Sequence, residues 1–152
     1  LSRDLQQFRP AALLYHYGMA DQYVRDGGVT YSSCSAEGRA ALTQQVGAMV
    51  AAAGATGTMV FLVMPNDPPD ELGLDPGGER FAGADCYRET YLALAASNRA
   101  TVRLLRLDEL VCPAPDSGCE QSDELRYDGI HFTDEGTAIV LPWLLERMFA
   151  TA

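Results

Sequence analysis

Lysine does not occur anywhere in the 152 residues; all eleven positive charges are arginines, set against 21 acidic residues for a formal charge of −10. With no basic stripe to follow a phosphate backbone or an anionic bilayer, the composition argues against nucleic acid as a partner. Long apolar runs are also scarce. The longest uncharged stretch, Val46 to Pro65, is broken by Gly54 and Gly57, so it reads as a helix end, a glycine turn and a buried strand rather than a membrane span. Leu1 opens into a polar segment without a signal-peptide pattern, so any targeting sequence is expected to have been removed or to lie outside this chain. The chain has only two histidines and no Cys-x-x-Cys pair, which argues against a zinc site. No metal or cofactor is expected.

What is present suffices for one globular domain, since 47% of the residues are apolar. Four cysteines fit two disulfides with three pairings, a pattern of oxidising compartments. Cys112 and Cys119 enclose Pro-Ala-Pro-Asp-Ser-Gly, a tight loop, and are expected to pair. Cys34 and Cys86 read either as free buried thiols or as a bridge; the bridge is preferred because both fall at the starts of predicted helices.

The hydrophobic pattern predicts alternating elements. Ser2 should cap a short first helix, followed by a strand over Ala11 to Tyr17. Ser35 should cap a helix through Ala53 that Gly54 stops. Thr58 to Met64 is the clearest strand, ended by Pro65. A Pro- and Gly-rich segment from Asn66 to Ala84 is too long for a bare connection and is a candidate binding or covering loop. Asp85 should cap the next helix, Thr101 to Leu107 forms a third strand, and Thr133 should cap a last helix kinked at Pro142. Strand and helix in alternation predict a three-layer α/β/α, flavodoxin-like fold on a parallel sheet. Sites in such sheets lie beyond the carboxyl ends of the strands. That rule singles out Gly18 to Asp21, Pro65 to Asp67, Leu110 to Cys119 and the segment Arg-Tyr-Asp-Gly-Ile-His from Arg126 to His131.

Asp128 and His131 stand three residues apart in Arg-Tyr-Asp-Gly-Ile-His-Phe-Thr-Asp-Glu-Gly, residues 126 to 136. This block resembles the last motif of the SGNH (GDSL-like) hydrolases. Residues 106 to 148 are similar in particular to the ends of SGNH domains fused to type-3 membrane acyltransferases, through Cys112, Cys119, Arg126, Asp128, His131, Phe132 and Trp143. The resemblance implies a Ser-His-Asp mechanism in which His131 is the general base and Asp128 fixes its tautomer. It further implies acyl (acetyl) esters of cell-surface glycans as substrate, an extracytoplasmic location, and room for a membrane acyltransferase domain outside this chain.

Two departures accompany the match. The family's Gly-Asp-Ser block is absent: Ser2 lies too near the N-terminus, and Ser32, Ser33 and Ser35 belong to a loop and a cap. The nucleophile and its central strand are therefore expected from an N-terminal segment or a partner chain, making residues 1–152 the C-terminal portion of the domain. Tyr17 to Asp21 occupies the place of a Gly-x-Asn-Asp block but carries Ala20 where the oxyanion-binding Asn is expected. Gly18, Asp21 and Asn66 remain candidate oxyanion or substrate contacts, and His16 is expected to be a packed core histidine. The contrasting expectation is a catalytically inactive glycan- or partner-binding module; a response-regulator-like domain has only Asp21 in its favour.

Overall fold

The computed structural model describes residues 1–16, 23–65, 82–111, 124–127 and 131–149. Its elements are α1 (Ser2–Phe8), β1 (Ala12–Tyr15), β2 (Tyr23–Asp26), β3 (Val29–Ser32), α2 (Ala36–Gly54), β4 (Met59–Val63), α3 (Ala82–Ser97), β5 (Val102–Leu105), α4 (Leu107–Val111) and α5 (Asp134–Phe149). β1, β4 and β5 form a parallel sheet in the order β1-β4-β5, with Leu14 beside Phe61 and Phe61 beside Arg103. β2 and β3 form a separate antiparallel hairpin.

β4 is the centre because its sequence has no polar face. Val60, Phe61, Leu62 and Val63 are each at most 3% exposed, as a strand covered on both faces requires. Each such side chain contributes about 1.5–3 kcal/mol by leaving water. On one face Val60, Leu62 and Val102 pack with Leu42, Val46 and Val50 of α2 and Tyr87, Tyr91 and Leu94 of α3. On the other, Phe61, Val63 and Leu105 meet Leu107 and Val111 of α4 and Val140 of α5, with Trp143 and Leu144 partly buried against them. Helices thus flank the parallel sheet in an α/β/α arrangement, the architecture expected from the alternation of elements.

Local chemistry explains the boundaries. Ser35 caps α2 through the Gly38 amide, which donates to its Oγ at 3.0 Å, and a turn through Gly57, at φ +75°, returns the chain into β4. Cys34 and Cys86 form a disulfide with a Cα–Cα distance of 5.4 Å, tying the start of α2 to the first turns of α3. Arg39 adds an ion pair to Glu89 and a contact to the Cys86 sulfur at 3.2 Å. The expected bridge between neighbouring helix starts is therefore present.

Several expectations need correction. Ser2 lies within α1, whose N-cap is Leu1, with no side-chain cap. Asp85 does not cap α3, which begins at Ala82; it forms an ion pair with Arg88 one turn on. The β2–β3 hairpin was not anticipated, although Asp26-Gly27-Gly28 is a turn signal. Gly27 and Gly28 take φ +54° and +84°, the positive values that a two-residue hairpin turn demands. Leu107 opens α4 instead of closing β5, because Arg106 forks onto Asp108 at 3.0 and 2.7 Å and bends the chain into a helical turn. Among the described residues no helix is long and apolar enough to cross a membrane.

Candidate functional site

The carboxyl ends of β1, β4 and β5 lead to His16, Met64 and Arg106, and the segment before α5 returns to the same rim. This segment doubles back on itself. Arg126 and Phe132 form an antiparallel bridge, the Tyr127 amide donates to the His131 carbonyl at 3.2 Å, and the Thr133 amide donates to the Leu125 carbonyl at 2.9 Å. Residues 125–127 and 131–133 are thereby held side by side in antiparallel fashion.

Thr133 joins this turn to the helix. The Gly136 amide donates to its Oγ1 at 2.9 Å, so Thr133 caps α5 as its position predicts. Gly136 packs directly on the Leu125 main chain, where a Cβ would run into the carbonyl group. The turn presenting His131 is consequently seated on the first turn of α5.

Arg126 anchors the turn from below. It is 4% exposed, and its guanidinium carbon lies 4.7 Å from the centre of the Phe132 ring, a cation–π geometry. Above it, His131 is exposed and stacks on Tyr127, the rings 5.8 Å apart and inclined by 16°. A buried cation and an exposed imidazole thus sit on the two sides of one small antiparallel pairing.

His16 is not the packed core histidine expected from a strand running to Tyr17. β1 ends at Tyr15, and the His16 side chain is exposed just beyond it. Protein surrounding part of the ring strips some of its hydration and, with the smaller effect of the Arg126 charge, holds its pKa below the ordinary 6.5. The structure therefore brings His16, Arg126 and His131 to one rim, a grouping that the motif alone did not reveal. The signal available in the sequence was that His16 directly follows an apolar strand.

Asp128, Gly18, Asp21, Asn66, Cys112 and Cys119 lie outside the described residues. Ser33 is fully buried, with no hydrogen-bond partner for its Oγ, and Ser35 is committed to its cap, so neither offers a free nucleophile. Among the described residues no three His, Cys, Asp or Glu side chains gather as a metal site would. A separate groove of about 390 Å3 is lined by Leu104, Arg106, Glu109, Leu110, Trp143 and Arg147. Comparison with known proteins finds no matching family model, no matching curated protein and no matching solved structure.

Proposed function

We propose that this chain is the C-terminal portion of an extracytoplasmic SGNH-type domain that hydrolyses or transfers acyl groups, acetyl above all, on cell-surface glycans. The observation that carries the reading is the Arg126–Gly136 motif together with the exposed His131, held by backbone pairing beside Tyr127 just before α5. The Cys34–Cys86 disulfide supports the compartment, since structural disulfides persist where the environment is oxidising.

In this mechanism a serine supplied from outside residues 1–152 attacks the ester carbonyl while His131 accepts its proton. Asp128 orients the ring and stabilises the imidazolium. Collapse of the tetrahedral intermediate expels the sugar oxygen, to which His131 returns the proton, leaving an acyl-serine. Water or an acceptor hydroxyl then takes the acyl group by the same relay.

A second reading, an inactive glycan-binding module, has Tyr127 in its favour: its ring is 70% exposed and already stacked on His131, a platform on which a sugar could lie. Turnover separates the two. Once the chain is joined to a Gly-Asp-Ser segment, His131→Ala should lower hydrolysis of an aryl acetate by about a thousandfold or more, and Asp128→Asn should lower it substantially. Undiminished turnover in His131→Ala would reject the triad.

A further inference from the structure

The two sulfurs of the Cys34–Cys86 bridge sit in unlike surroundings. Cys86 belongs to α3 and is 3% exposed, with its carbonyl accepting from the Thr90 hydroxyl at 2.8 Å. Cys34 lies between β3 and α2, one residue before the Ser35 cap, and is partly exposed. Its turn is fixed. The Ser35 amide and hydroxyl both donate to the Ser32 carbonyl, at 3.0 and 2.8 Å, and Gly38 packs on that carbonyl so closely that a Cβ would run into it. A reagent arriving from solvent therefore has an approach to Cys34 and is screened from Cys86.

Charge divides the pair the same way. Arg39 Nη2 donates to the Cys86 sulfur at 3.2 Å. Its Nη1 pairs with Glu89, about one turn further along α3, and its Nε donates to the Cys34 main-chain carbonyl at 3.3 Å. One N–H of the guanidinium is thus aimed at a sulfur that, in a disulfide, is only a weak acceptor. A thiolate at the same place accepts a charge-assisted bond, which is roughly twice as strong as a neutral one. An arginine beside a cysteine lowers the pKa of its thiol, and a sulfur of lower pKa leaves faster in thiol–disulfide exchange. Access and charge therefore agree: Cys34 is the sulfur to attack and Cys86 the one to leave.

We infer that the Cys34–Cys86 bridge is an exchange site for small-molecule thiols, entered at Cys34. The incoming thiolate attacks Cys34 Sγ and forms a new S–S bond there; the Cys34–Cys86 bond breaks, and its electron pair leaves on Cys86 Sγ beside Arg39. This step involves no net oxidation or reduction, since a mixed disulfide on Cys34 replaces the bridge. Return attack by Cys86 on Cys34 expels the small thiolate and closes the bridge again. Attack by a second small thiol on the adduct instead yields free Cys34 and a small-molecule disulfide, a two-electron reduction of the protein. Either open form releases the start of α2 from α3. A partly buried sulfur in a fixed turn admits a small thiol, whereas a protein dithiol has to bring a whole surface against it.

The test incubates the native chain with excess glutathione, stops exchange with acid at early times and maps the adducts by mass spectrometry. Glutathione should be found on Cys34 in about tenfold or greater excess over Cys86. The Arg39 and Glu89 side chains are 44% and 61% exposed, so both positions tolerate substitution, and either substitution breaks the same ion pair. Arg39→Gln removes the charge at the leaving sulfur and should slow adduct formation by about fivefold or more. Glu89→Gln keeps the guanidinium and should leave the rate unchanged or raise it. That split separates charge from loosened packing, which would speed exchange in both variants. Adducts on Cys86, equal labelling of the two cysteines, no adduct on the folded chain, an Arg39→Gln rate at or above that of the parent, or slowing in both variants alike overturns the proposal. Opening of the bridge by reduced thioredoxin with none by glutathione overturns it in favour of a protein dithiol.

Discussion

Arg126 holds a guanidinium in a nearly closed position over Phe132, and its neighbours adjust to that fixed charge. His16 responds with a lowered pKa, partial loss of hydration being the larger cause and Arg126 the smaller. In the unfolded chain this histidine should titrate near its ordinary 6.5. As pH falls through that value the unfolded state takes up a proton before the folded state does, so stability declines. The decline ends once the pH is below the folded-state pKa as well. Urea titrations across this range should show the wild type losing stability relative to His16→Gln as the solution is acidified, with no such divergence above neutrality. Parallel curves at every pH would show that His16 does not feel its surroundings in this way.

Among the elements, the join between the His131 turn and α5 depends on one missing side chain. Gly136 lies against the Leu125 main chain, so Gly136→Ala should cost about 1–3 kcal/mol through overpacking, despite the better helix propensity of alanine. Its signature should be local: the His131 and Tyr127 ring resonances shift, while β4 amides keep their slow exchange. A variant as stable as the parent with unmoved His131 signals would contradict the packing described here.

The same elements show what could be read from the residues alone. β4 and the long helix α2 announce themselves because burial on two faces, or a Ser cap followed by spaced apolar residues, leaves an unambiguous pattern. The Thr133 cap was equally legible, and it locates His131 just before α5. α4 was hidden because it is short and depends on the Arg106–Asp108 fork, which spacing within an apolar stretch does not reveal. The hairpin was hidden because Tyr23 and Val29 are exposed, so its strands lack an evident apolar face. Only Gly27 and Gly28 marked it. At the site, Asp128 and His131 could be named from the motif, but the burial of Arg126 and the approach of its charge to His16 join segments far apart in sequence.

For the whole molecule, the Cys34–Cys86 bridge spans a sequence separation of 52. A loop of that size restricts the unfolded chain enough to stabilise the fold by up to about 4 kcal/mol on the chain-entropy estimate. Replacing both cysteines by serine should therefore lower the melting temperature by several degrees or more, as should reduction of the native protein. Coincident melting curves with and without reductant would show that the α2 and α3 packing holds the two helix starts together unaided.

Covalently, then, the Cys34–Cys86 bridge closes a ring with a tail on either side. The ring, from Cys34 to Cys86, contains α2 and β4, the middle strand of the sheet. β1 belongs to the leading tail, and β5, the His131 turn and α5 to the trailing one. Either tail can detach from the sheet without opening the ring, whereas the centre has a crosslink that limits how far it can open. Opening motions should therefore proceed inward from the outer strands, with the segment carrying His131 free to lift away as a unit while α2 and β4 stay looped together.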